Sequence, residues 1–360
     1  MMNFSKPFKQ VIVLILVACA VIASSIGVTL SSTEAQTSGL STTNSTPHSA
    51  TNSAINSTNN SATGSTTNAA VYRFKVGAID ALVVSDGSLT TPPLPNYAPT
   101  AEPAEVEQAL RERFLPADQL TLYFNALYLD TGRNKILIDT GSGRELGPTL
   151  GRLAANLRAA GVPPETIDTV ILTHAHPDHI GGILTAYGRL AYPNARYYIS
   201  KAEWAFWTAA NVSLASLKIS EGFKQAMVAA AHRHLSAIRE RVTLFQPGQE
   251  IVPGIQAVDA AGHTPGQTAL LISSGQSRLI HAADVFFNEA FDLEHPDWQT
   301  GFDLDPAQAA ATRRQLLNQV ALNPMLVLAY HMPFPALGHI RARGERYEWE
   351  PTLWQFEVAD

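Results

Sequence analysis

The segment Thr173-His174-Ala175-His176-Pro177-Asp178-His179-Ile180-Gly181-Gly182 constrains this chain more than any other stretch. It follows Thr169 to Leu172, an apolar run that reads as a buried strand. Side chains alternate faces in an extended segment, so His174 and His176 point to one side and can share a metal ion. Past Pro177 the chain is expected to turn into a helix, letting Asp178 and His179 face a second ion close to the first. A solvated loop that merely happens to be rich in histidine explains this spacing poorly, because imidazoles and a carboxylate so arranged are metal-ligand chemistry.

Other strand ends offer partners. Ile255 to Val258 leads into Ala261-Gly262-His263-Thr264-Pro265-Gly266, where Gly and Pro enforce a tight turn behind the histidine. Leu279 to Ala283 delivers Asp284, and Leu326 to Tyr330 delivers His331. Together they give His174, His176 and His263 for one ion, Asp178, His179 and His331 for the other, and Asp284 as the bridge. Imidazole nitrogens with two carboxylates form a borderline-soft set that suits two divalent ions, zinc first, with iron, manganese or cobalt as other occupants.

That order of ligands on strand ends resembles the metallo-β-lactamase superfamily, over residues 72 to about 345. The resemblance implies an α+β fold, an αββα sandwich of two mixed sheets with the metals at one edge. Several segments are similar to the methyl parathion hydrolase group within it: Gly147-Pro148-Thr149-Leu150-Gly151-Arg152-Leu153-Ala154-Ala155-Asn156-Leu157, Val252-Pro253-Gly254-Ile255, and His331-Met332-Pro333-Phe334-Pro335 followed by Gly338-His339-Ile340-Arg341. That group is similar to lactonases and aryl esterases and includes exported phosphotriesterases. The resemblance implies a substrate pocket at Trp207 and Phe223, with Phe286 on its wall and Leu146 where methyl parathion hydrolases carry an aromatic residue. The Leu146 departure and a Pro-rich stretch from Thr90 to Pro103 make a lactone or aryl ester the expected substrate ahead of a phosphotriester.

The ligands dictate the expected chemistry. Two cations hold a water between them and lower its pKa, so a bridging hydroxide becomes the nucleophile, with Asp178 and Asp284 as its carboxylate supports. One ion also polarises the carbonyl or phosphoryl oxygen of the substrate. Asp284 separates the chain from β-lactamases of this fold, which usually carry Cys or Ser in that region. His176 separates it from the diiron electron-transfer members, which usually carry Glu there. The alternatives are a glutathione thioesterase, a mononuclear iron persulfide dioxygenase using His174, His176 or His263, and Asp284, and a tethered binding module with a vestigial site.

The rest of the domain reads as a frame for those residues. Val71 to Val84, Thr121 to Asp130 and Lys135 to Asp139 are expected strands of an antiparallel meander, with turns at Asp86-Gly87 and Thr131 to Asn134. A Pro-rich loop over Thr90 to Pro103, placed to overhang a site, precedes a short helix around Glu105 to Arg113. Leu150, Leu153 and Leu157 form a helical stripe ended by Gly161 and Pro163-Pro164. Arg196 to Ile199 is a further strand, Ala202 to Thr208 and Ser220 to Arg241 are helices, and Asp305 to Leu322 is a helix capped by Asp305-Pro306. Asp139 either caps the loop after its strand or supports a ligand histidine, and His339 is a similar candidate. His232 and His234 are expected to face solvent.

Residues 1 to 30 read as an export signal, with Lys6 and Lys9 ahead of an apolar run from Val11 to Leu30. The run is either cleaved or kept as a membrane anchor, and a periplasmic destination is expected. Leu16-Val17-Ala18-Cys19 resembles a lipoprotein box, which would make Cys19 a lipid attachment point; the bland alternative is a small apolar residue within the signal. Cys19 is the sole cysteine, so the chain has neither an internal disulfide nor a thiolate ligand. Residues 31 to 70 are Ser, Thr, Asn and Ala with scarcely an aromatic or charge, the composition of a flexible tether; their sequons at Asn44 and Asn56 read as composition. The catalytic domain is then 71–360. The net charge is −6, which argues against a nucleic-acid partner. A small-molecule substrate is expected, and a homodimer is common among relatives.

Overall fold

A computed structural model describes residues 69–356. The export segment, Cys19, the two sequons and nearly all of the expected tether lie outside the described residues.

Fourteen strands form two seven-stranded sheets. The first runs in chain order through β1 (Val71–Val76), β2 (Ile79–Thr91), β3 (Leu120–Asp130), β4 (Lys135–Ile138), β5 (Thr169–Ile171), β6 (Arg196–Ser200) and β7 (Val242–Phe245). Its first four strands are antiparallel, as the meander reading expects, and β4 to β7 are parallel. The second sheet contains β8 (Glu250–Val252), β9 (Ile255–Asp259), β10 (Thr268–Ser274), β11 (Ser277–His281), β12 (Leu326–Leu328), β13 (Leu337–Arg343) and β14 (Arg346–Pro351). It is antiparallel except where β11 meets β12.

Period-two alternation builds three layers of core. On β2, Ala81 and Val83 face the second sheet while Leu82 and Val84 face helices; on β3, Leu127 and Leu129 face inward while Ala126 and Tyr128 face out. The middle layer joins these to Ile255, Leu270, Ile272 and Leu328 of the second sheet. Outside the first sheet pack α1 (Pro103–Glu112), α2 (Leu153–Ala159), the single turn α3 (Pro177–Ile180), α4 (Lys201–Trp207) and α5 (Glu221–Ile238). Outside the second lies α6 (Pro306–Leu322), whose Leu316, Leu317 and Val320 cover Ile280, Val327 and Ile340. The result is an αββα sandwich of two mixed sheets. Asp305 accepts from Gln308 N and caps α6, with Pro306 at its first position.

One expected turn is absent. Asp86-Gly87 does not end a strand; β2 continues to Thr91 through a β-bulge between Ser85 and Gly87. Gly87 adopts φ 129°, and a side chain there would strike the backbone at Thr149. The bulge turns the Asp86 carboxylate inward, where it accepts hydrogen bonds from Ser142 N, Gly151 N and Leu153 N at 2.8–3.0 Å.

Candidate metal centre

The strand ends meet at one edge of the sandwich. β5 ends at Ile171 and is followed by His174 and His176, the latter extended (φ −69°, ψ 153°) at the N-cap of α3. Pro177 starts that helical turn, which carries Asp178 and His179. The chain then passes through Gly181 and Gly182, where a side chain would drive into the carbonyls of Ser142 and Thr140. The second sheet contributes His263 after β9, Asp284 after β11 and His331 after β12. Gly262 permits φ 134° and the close approach of the α6 backbone at Ala309.

Two groups of ligand atoms result, His174, His176 and His263 in one and Asp178, His179, Asp284 and His331 in the other, each with its atoms within 4.8 Å of one another. Asp284 reaches both. Its oxygens lie 3.2 Å from His179 Nε2 and 3.1 Å from His331 Nε2, and also 3.5 Å from His263 Nε2 and 3.8 Å from His174 Nε2.

Buried Nε2 atoms of His174 and His179 and Oδ1 of Asp284 have no hydrogen-bond partner, a cost that a cation would remove, and His176 turns Nδ1 to within 2.8 Å of His263 Nε2. The opposite ring nitrogens are held. His179 Nδ1 donates to Asp139 Oδ2 at 2.8 Å, His263 Nδ1 to Asp303 Oδ1 at 2.9 Å, and His331 Nδ1 to the Tyr123 carbonyl at 2.9 Å. These bonds fix the tautomers and aim Nε2 inward. Asp139, at φ 61°, also accepts from the amide and hydroxyl of Thr173. It therefore supports a histidine of the cluster.

Charge balance agrees with that geometry. Burial, then neighbouring imidazoles, push His174 and His176 well below the ordinary imidazole range, into the neutral form that binds metal. Burial acts the same way on His179 and His331, but Asp284 and Asp178 outweigh it and raise both, His331 to about 9. Burial acts to raise Asp178 and Asp284, and the facing imidazoles overcome it and hold both well below the carboxylate range.

A pocket opens over the cluster, walled by Leu89, Leu122, Phe124, Leu146, Phe223, Met227, Phe287 and Phe302, with Tyr97 among them. Leu146 and Phe223 thus lie where the sequence places them. Phe286 does not. It is buried behind the second sheet against Trp349, and Phe287 lines the pocket instead. Nearness to Asp284 in sequence does not place a side chain here, because β11 ends at His281 and the chain turns at Ala283 (φ 50°), with Val285 N donating to Ala282 O. Trp207 is also off the wall, fully buried with its ring perpendicular to His176 and Nε1 donating to Glu203 Oε1 at 2.7 Å.

Glu203 itself is a residue the sequence reading misses. Its buried carboxylate accepts from Ala175 N, Trp207 Nε1, Thr264 Oγ1 and Gly266 N, and so ties the His174–His176 segment to the His263 turn. Asp303 is missed likewise; nothing in its local sequence marks it as the partner of a histidine 40 positions away. His339 is exposed on β13 opposite Glu350, away from the cluster. His234 is not solvent-facing; it is buried and bonded to Glu145 Oε1 at 3.0 Å, while His232 is half-buried.

Residues 122–331 match the metallo-beta-lactamase superfamily. The chain belongs to that superfamily. It is a metal-dependent hydrolase of that fold, with lactonases among its relatives. Among solved structures this hydrolase is similar to AidC, a dizinc quorum-quenching lactonase determined with a product bound. They share 30% identity and a TM-score of 0.75, over 79% of this chain and 98% of that one. It is similar also to hydrolase AbOPH of the beta lactamase superfamily, with 27% identity and a TM-score of 0.74, over 80% of this chain and 99% of that one. An N-acyl homoserine lactonase from Bacillus sp is 25% identical over 219 residues, 55% of this chain and 77% of that protein.

Proposed function

We propose that this enzyme hydrolyses lactones with two divalent ions, zinc the first expectation, held by His174, His176 and His263 and by Asp178, His179 and His331, with Asp284 between them. The observation that carries this reading is the pair of ligand groups sharing Asp284 at the floor of an apolar-walled pocket. Bound ions of this kind polarise a carbonyl oxygen and acidify water into a nucleophile near neutral pH.

The chain's own residues do the rest. Asp139, Asp303 and the Tyr123 carbonyl hold the imidazoles in register, and Asp178 and Asp284 supply the negative charge that retains cations. The apolar wall takes an apolar substituent and keeps water from the reacting centre. A lactone is favoured by the relatives, a dizinc lactonase and an N-acyl homoserine lactonase among them. Aryl esters share the same carbonyl chemistry and extend the reading. Phosphotriesters rest on the likeness to methyl parathion hydrolases alone. Among the described residues no Lys or Arg lines the pocket, which disfavours a glutathione thioester with its carboxylates. The four-residue second group speaks for two ions, not a single iron. Residues 1 to 30 support action outside the cytoplasm, which fractionation of expressing cells would test.

The deciding experiment is metal analysis of the full chain with parallel rates on N-hexanoyl homoserine lactone, dihydrocoumarin, phenyl acetate and methyl parathion. Two ions per chain and fastest turnover of a lactone, without oxygen, are expected. A single iron with oxygen uptake, or activity that survives His176→Ala, would overturn the reading.

A further inference from the structure

The pocket wall contains one anomaly. Apart from the residues of the metal cluster, every side chain that lines it is apolar except Tyr97. Tyr97 belongs to the Pro-rich segment after β2, far in sequence from every ligand. Its hydroxyl makes no hydrogen bond among the described residues, and Tyr97 lines the same pocket as Asp178 and Asp284. Tyr97 is half-buried on the pocket wall, so its hydroxyl is open to whatever occupies the pocket.

The segment is also held in place. Tyr97 N donates to Pro93 O at 2.8 Å, and Asn96 O accepts from Gly301 N at 2.6 Å and Thr300 Oγ1 at 3.1 Å. The Tyr97 ring packs against Phe302, centroid to centroid 5.4 Å. A donor fixed this firmly costs little reorganisation when charge develops on an oxygen beside it. Phe287, three positions after Asp284, also faces the pocket and offers no such donor.

We propose that Tyr97 is a catalytic residue of this site, donating its phenolic hydrogen bond to the substrate acyl oxygen as negative charge builds there. The inference rests on the hydrolytic reading above and adds a group that reading does not use. No proton changes owner in the step, so the phenol leaves each turnover as it entered. Carbonyl substrates of any leaving group should depend on it alike, because the bond is made to the oxygen that stays with the acyl group.

The test is Tyr97→Phe in the metal-loaded full chain, a change that removes one O–H and keeps the ring against Phe302. Expected are a kcat lower by about 100–1,000-fold on both N-hexanoyl homoserine lactone and phenyl acetate, the size of effect seen when one oxyanion donor is removed. KM and metal content should stay near the wild-type values. A kcat within about two-fold of wild type, or a loss confined to KM, would overturn the proposal and leave Tyr97 as packing. Calorimetric binding of hexanoate reads the same hydrogen bond without turnover. Affinity about ten-fold weaker in Tyr97→Phe supports the inference, and equal affinity refutes it. If the wild type turned over neither substrate, the hydrolytic reading would fail and the catalytic role with it, while hexanoate binding still decided whether Tyr97 donates to an acyl oxygen in the pocket.

Discussion

Replacing Asp86 tests how far a buried carboxylate outside the metal cluster shapes the pocket. Oδ2 accepts from Ser142 N and Gly151 N, and Oδ1 from Leu153 N, the first residue of α2. Asp86→Asn retains one oxygen. Turned toward Ser142 and Gly151, it sets an NH2 group against the Leu153 N–H, donor against donor. One hydrogen bond to a charged group is lost, about 1.5–3 kcal/mol. Asp86→Ala strands three backbone amides that cannot turn away, roughly 4 kcal/mol or more by the same scale. Ser142 and Gly151 bracket the loop that carries Leu146, so a loosened loop should also raise KM several-fold with a smaller change in kcat. Urea unfolding of the metal-loaded protein, compared at a common m-value, measures the first effect, and steady-state kinetics the second. An Asp86→Asn protein within about 0.5 kcal/mol of wild type would refute the reasoning.

Asp303→Ala should weaken the ion at His174, His176 and His263 by about 10–100-fold, because His263 loses the partner that orients it; competition with a chelating dye measures this, and unchanged affinity counts against it. Gly182→Ala should cost about 1–3 kcal/mol by forcing a methyl into the Thr140 carbonyl, read from chemical denaturation. Phe286→Ala should lower stability by about 3–5 kcal/mol with kcat/KM nearly unchanged, whereas Phe287→Ala should alter kcat/KM at least as much as stability. The reverse ranking would mean that the two rings are wrongly assigned.

The ligand positions were legible because their signal is local. His174 and His176 are two apart at a strand end, and a strand fixes which way they face. Turn chemistry around His263 and the apolar runs before Asp284 and His331 carried the same information, and the αββα sandwich followed from the resemblance those residues support. Legibility failed where a contact spans the chain or a strand departs from its period. Asp86-Gly87 has the composition of a turn, and only the partner strand β3 shows that it is a bulge. Glu203 reads as an ordinary helical acid until Thr264 and Gly266 are brought to it. His234 shares a polar helix with Arg233, and its burial depends on Glu145, 89 residues away. Phe287, not Phe286, reaches the pocket, because the chain turns at Ala283 just after β11.

The ligands come from both halves of the sandwich: His174, His176, Asp178 and His179 follow a strand of the first sheet, and His263, Asp284 and His331 follow strands of the second. Neither sheet carries a complete set. Ions seated there would rivet the two sheets together, with a grip that depends on the surrounding free-metal level. At a free concentration about 1,000 times Kd, each ion would add roughly 4 kcal/mol to the folded state. Metal supply would thus govern how long the protein survives as well as how fast it turns over, and its melting temperature should climb with added zinc well beyond the point at which activity saturates.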